Sequence, residues 1–81
     1  MTGVRRLNPG GSGGMTFGDR LREARRSAGL RQEELADRAE VSRATLSRLE
    51  NDEIRHPWIS TVLRLAGVLG RTVEELYGKK L

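Results

Sequence analysis

Ser42 opens a ten-residue run, Ser-Arg-Ala-Thr-Leu-Ser-Arg-Leu-Glu-Asn, that sets two arginines among small side chains. Taken as a helix that advances about 100° per residue from Leu46, it puts Leu49 near −60° and Ala44, Ser47, Arg48 and Asn51 between about 100° and 200°. One side is apolar, and the other carries hydrogen-bonding groups and a methyl. Arg43 lies near 60°, but in the first turn, from where a side chain reaches forward past the helix end. The planar arginine fork can donate two hydrogen bonds to guanine O6 and N7, alanine can pack on a thymine methyl, and a serine hydroxyl is a short donor and acceptor. Base edges in a duplex major groove are therefore one target of this chemistry. The other reading is a solvated face whose arginines pair with acids such as Glu40 or Asp52, since exposed charge is usually solvated.

Other chemistries find little support in the 81 residues. There is no cysteine, which removes disulfides, thiol nucleophiles and Cys-rich zinc sites. His56 is the single histidine, so no metal site and no cofactor are expected. The carboxylates fall on solvated helix faces without an apolar pocket to tune them, which argues against an enzyme. Trp58 reads as a cover for the core, because one aromatic does not make an RNA-stacking surface. Arg25 and Glu50 each sit about 40° from a core leucine on their helical wheels, Leu21 and Leu46 respectively, and so flank the buried seam.

These residues need a scaffold, and the chain is long enough for one small domain. Residues 1–15 form a glycine-rich leader, read as flexible, that is either a vector-derived remnant preceding Met15 or a basic arm carrying Arg5 and Arg6. From Thr16 to Gly78 the apolar spacing is helical throughout, which predicts an all-α domain. Thr16 with Asp19 caps a first helix whose inner stripe is Phe17, Leu21, Ala24 and Ala28, closed by Gly29. A second helix is expected over Gln32–Arg38 with Leu35, Ala36 and Ala39 inward. Ala39, Glu40 and Val41 form a tight connection, and Ser42 caps the third helix. Ile59, Val62, Leu63, Ala66 and Leu69 make the inner stripe of a fourth helix that ends at Gly70. Thr72 and Glu75 box the start of a short fifth helix carrying Val73, Leu76 and Tyr77. Residues 79–81 are a short basic tail. No apolar run reaches the roughly 20 residues of a membrane span, and a soluble, cytoplasmic protein is expected. Fifteen Lys and Arg against 11 Asp and Glu leave a net +4, which favours anionic partners.

Two short helices joined by three or four residues, the second capped by serine, have the form of a helix-turn-helix. The words match as well. LRQEELADRAEVSRATLSRLEN followed by HPWISTVLRLAGVLGRTVEELYG resembles the Cro/lambda-repressor-like, or XRE-type, helix-turn-helix family, over Phe17 to Gly78. The resemblance implies a compact five-helix domain whose third helix reads bases through Arg43, Ala44, Ser47 and Arg48. It places Gln32 and Asn51 at phosphate contacts, with Arg31, Arg55 and His56 able to add charge. It also implies an ion pair between Arg25 and Glu50 that joins the first and third helices.

The sequence departs from the family pattern at several positions. Glu40 stands where a glycine is usual; a left-handed backbone there costs a residue with a Cβ about 1 kcal/mol, the alternative being a rearranged turn. Arg31 replaces the usual Thr or Ser cap. Asp52 and Glu53 replace a glycine and a basic residue, which is expected to weaken affinity for DNA. Arg71 replaces an apolar residue under the fifth helix, implying loose packing or a snorkelling stem. The leading expectation is a sequence-specific duplex-DNA-binding transcriptional regulator, repressor-like, acting as a weak homodimer through Tyr77 and Leu81. Phage-type repressor, restriction-modification controller and antitoxin are all compatible with that size, which leaves no room for a sensor domain. The rival is a protein-interaction module of the same fold, such as an antitoxin or co-regulator held off DNA by the Asp52-Glu53 corner.

Overall fold

The computed structural model describes residues 15–78, and within them the chain forms five α-helices and no strand. They are α1 (Phe17–Ser27), α2 (Gln32–Ala39), α3 (Arg43–Glu50), α4 (Ile59–Leu69) and α5 (Val73–Tyr77). The leader with Arg5 and Arg6, and the tail with Lys79, Lys80 and Leu81, lie outside the described residues. Among the described residues no helix is long and apolar enough to cross a membrane.

Local chemistry sets most boundaries. Thr16 Oγ1 accepts from Asp19 N–H while the Asp19 carboxylate accepts from Thr16 N–H, a reciprocal box that satisfies two free donors at the start of α1. Thr72 and Glu75 do the same for α5. Gly29, Gly70 and Gly78 follow α1, α4 and α5 with positive φ. Helix α2 extends through Ala39, one residue beyond the expected Arg38, so the connection to α3 is shorter than the sequence implied.

Leu21, Leu35, Leu46, Leu49, Leu65 and Leu76 are fully buried, with Val62 and the alanines of α1, α2 and α4 filling between them. Helix α3 packs on α1 and α2, α4 on α2 and α5, and α5 closes back on α1. Three expectations are corrected. Ala28 is exposed, because it is the C-cap of α1 and lies past the last turn that faces α3. In α4 the buried face is Val62, Leu65, Ala66 and Leu69, while Ile59 and Leu63 are more than half exposed. Ser60, Thr61 and Arg64 share one side of that helix, but its apolar residues spread over an arc wider than one buried face, so its spacing admits two overlapping stripes, and packing against both α2 and α5 selects the one containing Leu65. Trp58 does not cover the core: it is 81% exposed at the N-cap of α4.

Candidate nucleic-acid interface

Helix α3 is held from behind and presented from the front. Leu46 and Leu49 bury its inner side, whereas Arg43, Ala44 and Arg48 are exposed and Ser47 is half-buried on the outer side. Ser42 fixes its start, accepting from Thr45 N–H at 3.0 Å and donating to Thr45 Oγ1 at 2.8 Å. Both arginines thus project from a short helix whose ends are pinned, which preorganises the fork for a planar acceptor.

The turn ahead of it is left-handed rather than rearranged. Glu40 has φ 59° and ψ 44°, and the N–H groups of Glu40 and Val41 close back on the carbonyls of Asp37 and Ala36. From α4, Arg64 Nε donates to the Ala39 carbonyl at 3.0 Å, satisfying one of the end carbonyls of α2. A Cβ in this backbone region carries strain that glycine does not. Glu40→Gly is therefore expected to raise stability by about 1 kcal/mol, read as a shift of the urea midpoint at unchanged slope.

At the other end of α3 lies a charge network. Glu50 is 1% exposed. Arg25 grips it in bidentate fashion, Nε to Oε2 at 2.6 Å and Nη2 to Oε1 at 3.1 Å, and also donates to the Leu30 carbonyl. Gln32 Nε2 donates to the same Oε1 at 3.0 Å, and Arg22 Nε stands 3.6 Å from it. One buried carboxylate thus ties the start of α2 and the body of α1 to the end of α3. The contact also orients Gln32, since one amide N–H is taken by Glu50. Arg22 reaches further, donating from Nη2 to the Glu50 carbonyl at 2.8 Å and to Asn51 Oδ1 at 3.0 Å. With the oxygen of Asn51 committed to a cation, its amide nitrogen is the end turned to other acceptors.

Asp52 is part of this frame. It has φ 59°, and its carboxylate accepts from Thr16 Oγ1 at 2.6 Å and from Gly18 N–H at 2.9 Å. An acid that reads from sequence as a deterrent to phosphate is bound to the positive end of α1. Gly18 permits the approach: a Cβ there would fall 2.7 Å from the Leu49 carbonyl oxygen and nearer still to that of Glu50.

The remaining expected positions are more exposed. Arg31 is at the N-cap of α2, 73% exposed, with its guanidinium within 4.0 Å of Glu33 and Glu34. Its own N–H donates to the Glu34 carboxylate at 2.8 Å, and that hydrogen bond, with the neighbouring guanidinium, holds Glu34 below the usual carboxylate range. Arg55 and His56 are exposed on the α3–α4 loop. Arg71 is also exposed, between α4 and α5. Among the described residues no group of three metal-ligating side chains occurs. Tyr77 stacks on Phe17 with ring centroids 4.7 Å apart, so part of its ring belongs to the α1–α5 contact.

Sequence reasoning passed over Arg22, Gly18 and Arg64, and took Asp52 only as a charge facing phosphate or the arginines of α3. Arg22 left a signal, being three residues before Arg25 and so on the same face of α1. The others act through partners 25 to 36 residues away, which no local pattern reveals.

Comparison with known proteins agrees with this geometry. The immunity repressor protein of Bacillus phage phi105 is 36% identical over 66 residues, 82% of this chain and 45% of that protein. The HTH-type transcriptional regulator ImmR of Bacillus subtilis (strain 168) is 37% identical over 65 residues, 80% of this chain and 50% of that protein. The chain therefore spans about half the length of these curated relatives. The crystal structure of SinR, the master regulator for biofilm formation, in complex with DNA superposes with a TM-score of 0.73 at 30% identity, covering 75% of this chain and 97% of that one. A family model described as helix-turn-helix matches residues 21–76, a span that starts at Leu21 on the inner face of α1 and ends at Leu76 on the buried side of α5. With the motif in α2 and α3, the shared five-helix fold and that match together, the chain belongs to the helix-turn-helix family of the Cro/lambda-repressor, or XRE, type.

Proposed function

We propose that this chain is the DNA-binding part of a repressor-like transcriptional regulator that reads duplex sequence in the major groove with α3. The observation that carries the reading is the two-sided anchoring of α3, with Ser42 at its start and the Glu50 network at its end, while Arg43, Ala44, Ser47 and Arg48 face outward. In this reading Arg43 and Arg48 contact guanine edges, Ala44 a thymine methyl and Ser47 an adjacent base edge. Gln32 and Asn51, oriented by Glu50 and Arg22, contact phosphates, with Arg31, Arg55 and His56 adding positive charge along the backbone. Similarity to an immunity repressor, and to a regulator solved with DNA, supports the assignment.

Two copies on a two-fold site, in the cytoplasm and without catalysis, complete the proposal. The rival reading as a protein-interaction module draws on the acidic corner after α3, where the Asp52 carboxylate is held by neutral donors of α1 and its N-cap. A duplex titration across salt separates the two. Affinity is expected to fall linearly on a log–log plot between about 50 and 200 mM salt, with a slope set by the number of phosphates neutralised. No binding to a site-selected duplex at about 50 mM salt would contradict the proposal.

A further inference from the structure

Trp58 is the only tryptophan of the chain and is 81% exposed. Nothing in the fold offsets the cost of leaving so large an apolar side chain in water. It stands at the N-cap of α4, yet its ring has no acceptor for the first N–H groups, and no side chain caps that helix. It covers none of the core, and it lies outside the groove that Ile59 and Leu63 form with Val73 of α5. Pro57, half-buried, precedes it and restricts the backbone on that side, so the ring is held out on a stiff support. The surroundings are polar and basic. Trp58 ends the loop of residues 51–58 that leaves α3 at Asn51. Arg55 and His56 are exposed just before it, and among the described residues Arg55 has no ion-pair partner within 4.0 Å. Of the two acids in the loop, Asp52 is turned to Thr16 and Gly18, which leaves Glu53. Fully extended, such a loop spans at most about 28 Å, so Trp58 stays within about one duplex turn of α3.

We infer that Trp58 seats on the duplex beside the bases that α3 reads, its ring against deoxyribose and base edges of the adjoining minor groove. The inference rests on the reading of α3 as the base-reading helix and adds a second, chemically different determinant of specificity. A helix in the major groove is bordered by sugar–phosphate strands, with the narrow minor groove beyond them. A flat apolar ring next to an unpaired arginine matches that border, where apolar sugar and anionic phosphate alternate. The ring carries no hydrogen-bond code for a base pair, so what it reads is shape. It enters most readily where stacking opens easily, at pyrimidine–purine steps such as TA, and least readily in a stiff A-tract. Trp58 therefore makes binding depend on a flanking step that Arg43 and Arg48 do not touch.

As the only tryptophan, Trp58 supplies its own signal. The test is acrylamide quenching of the full 81-residue chain, free and saturated with a site-selected duplex, beside anisotropy titrations of duplexes whose flanking step is TA or AA. Quenching is expected to fall severalfold on the duplex, and wild type to prefer the TA flank. Trp58→Ala should lose that preference together with about tenfold of affinity for the TA duplex, while Trp58→Phe keeps most of both. The slope of log affinity against log salt should be the same for Trp58→Ala as for wild type, because no phosphate contact is lost. The variant should also melt with wild type, since the side chain supports none of the core. A bound chain whose tryptophan is quenched as freely as before, or a Trp58→Ala variant that binds both flanks as wild type does, would overturn the inference. Protection that appears on self-association without DNA would assign Trp58 to a protein contact and overturn it as well. If no duplex binds at all, the reading of α3 is what fails, and this inference falls with it.

Discussion

Glu50→Ala is expected to lower stability by about 3–5 kcal/mol, the range for breaking a buried ion pair from one side. The variant removes the acceptor of Arg25 and Gln32 together and leaves the Arg25 guanidinium without its counter-charge beside Arg22, which keeps Asp19 at 3.6 Å. A domain of this size has a total stability of about 3–10 kcal/mol, so the loss takes a large share of it. At about 4–8 °C per kcal/mol the change appears as a fall of well over 10 °C in Tm. Arg25→Ala should be destabilising for the mirror-image reason, since it strands a carboxylate that is 1% exposed. The double variant should lose less than the sum of the singles, because each single already carries the cost of the orphaned partner. Thermal melts of the three proteins measure this, and strictly additive losses would show that the two side chains do not act as a pair.

Gly18→Ala is the second substitution with a large expected effect, and two forces oppose each other in it. Helix propensity favours alanine over glycine by about 1 kcal/mol within a helix. Against that, the added Cβ would be driven into the backbone carbonyls of Leu49 and Glu50, which cannot rotate aside as a side chain would. Overpacking costs about 1–3 kcal/mol even where side chains can adjust, and here α1 has to withdraw from the end of α3. Withdrawal would also stretch the bonds from Thr16 and Gly18 to Asp52. Net destabilisation of about 2 kcal/mol or more is expected from chemical denaturation. A variant more stable than the parent would mean that propensity governs this site and that α1 and α3 are not so closely docked.

The helices and the two-sided character of α3 were legible in the sequence because both rest on local rules. Thr16, Ser42 and Thr72 cap the helices their positions imply, and the wheel of α3 separates Leu46 and Leu49 from Arg43, Ala44 and Arg48. Legibility failed where local rules are silent or degenerate. Helix α4 offers too many apolar residues for periodicity to choose a face, so Leu65 was missed while Ile59 and Leu63 were assigned inward. Asp52 shows the other limit. Its charge argued for repulsion of phosphate, yet its partners are Thr16 and Gly18, which tertiary packing alone brings near.

In the proposed function Arg43 and Arg48 read bases rather than merely supply charge. Anisotropy titrations of wild type, Arg43→Ala, Arg48→Ala and Gln32→Ala against a site-selected duplex and a scrambled duplex, at one fixed salt concentration, address it. Each arginine variant is expected to lose about 1–3 kcal/mol on the selected duplex, with a much smaller loss on the scrambled one and relaxed preference at one guanine position. Gln32→Ala should weaken both duplexes by similar factors. If Arg43→Ala and Arg48→Ala instead weaken selected and scrambled duplexes equally, α3 does not read sequence through these side chains and the central claim is contradicted.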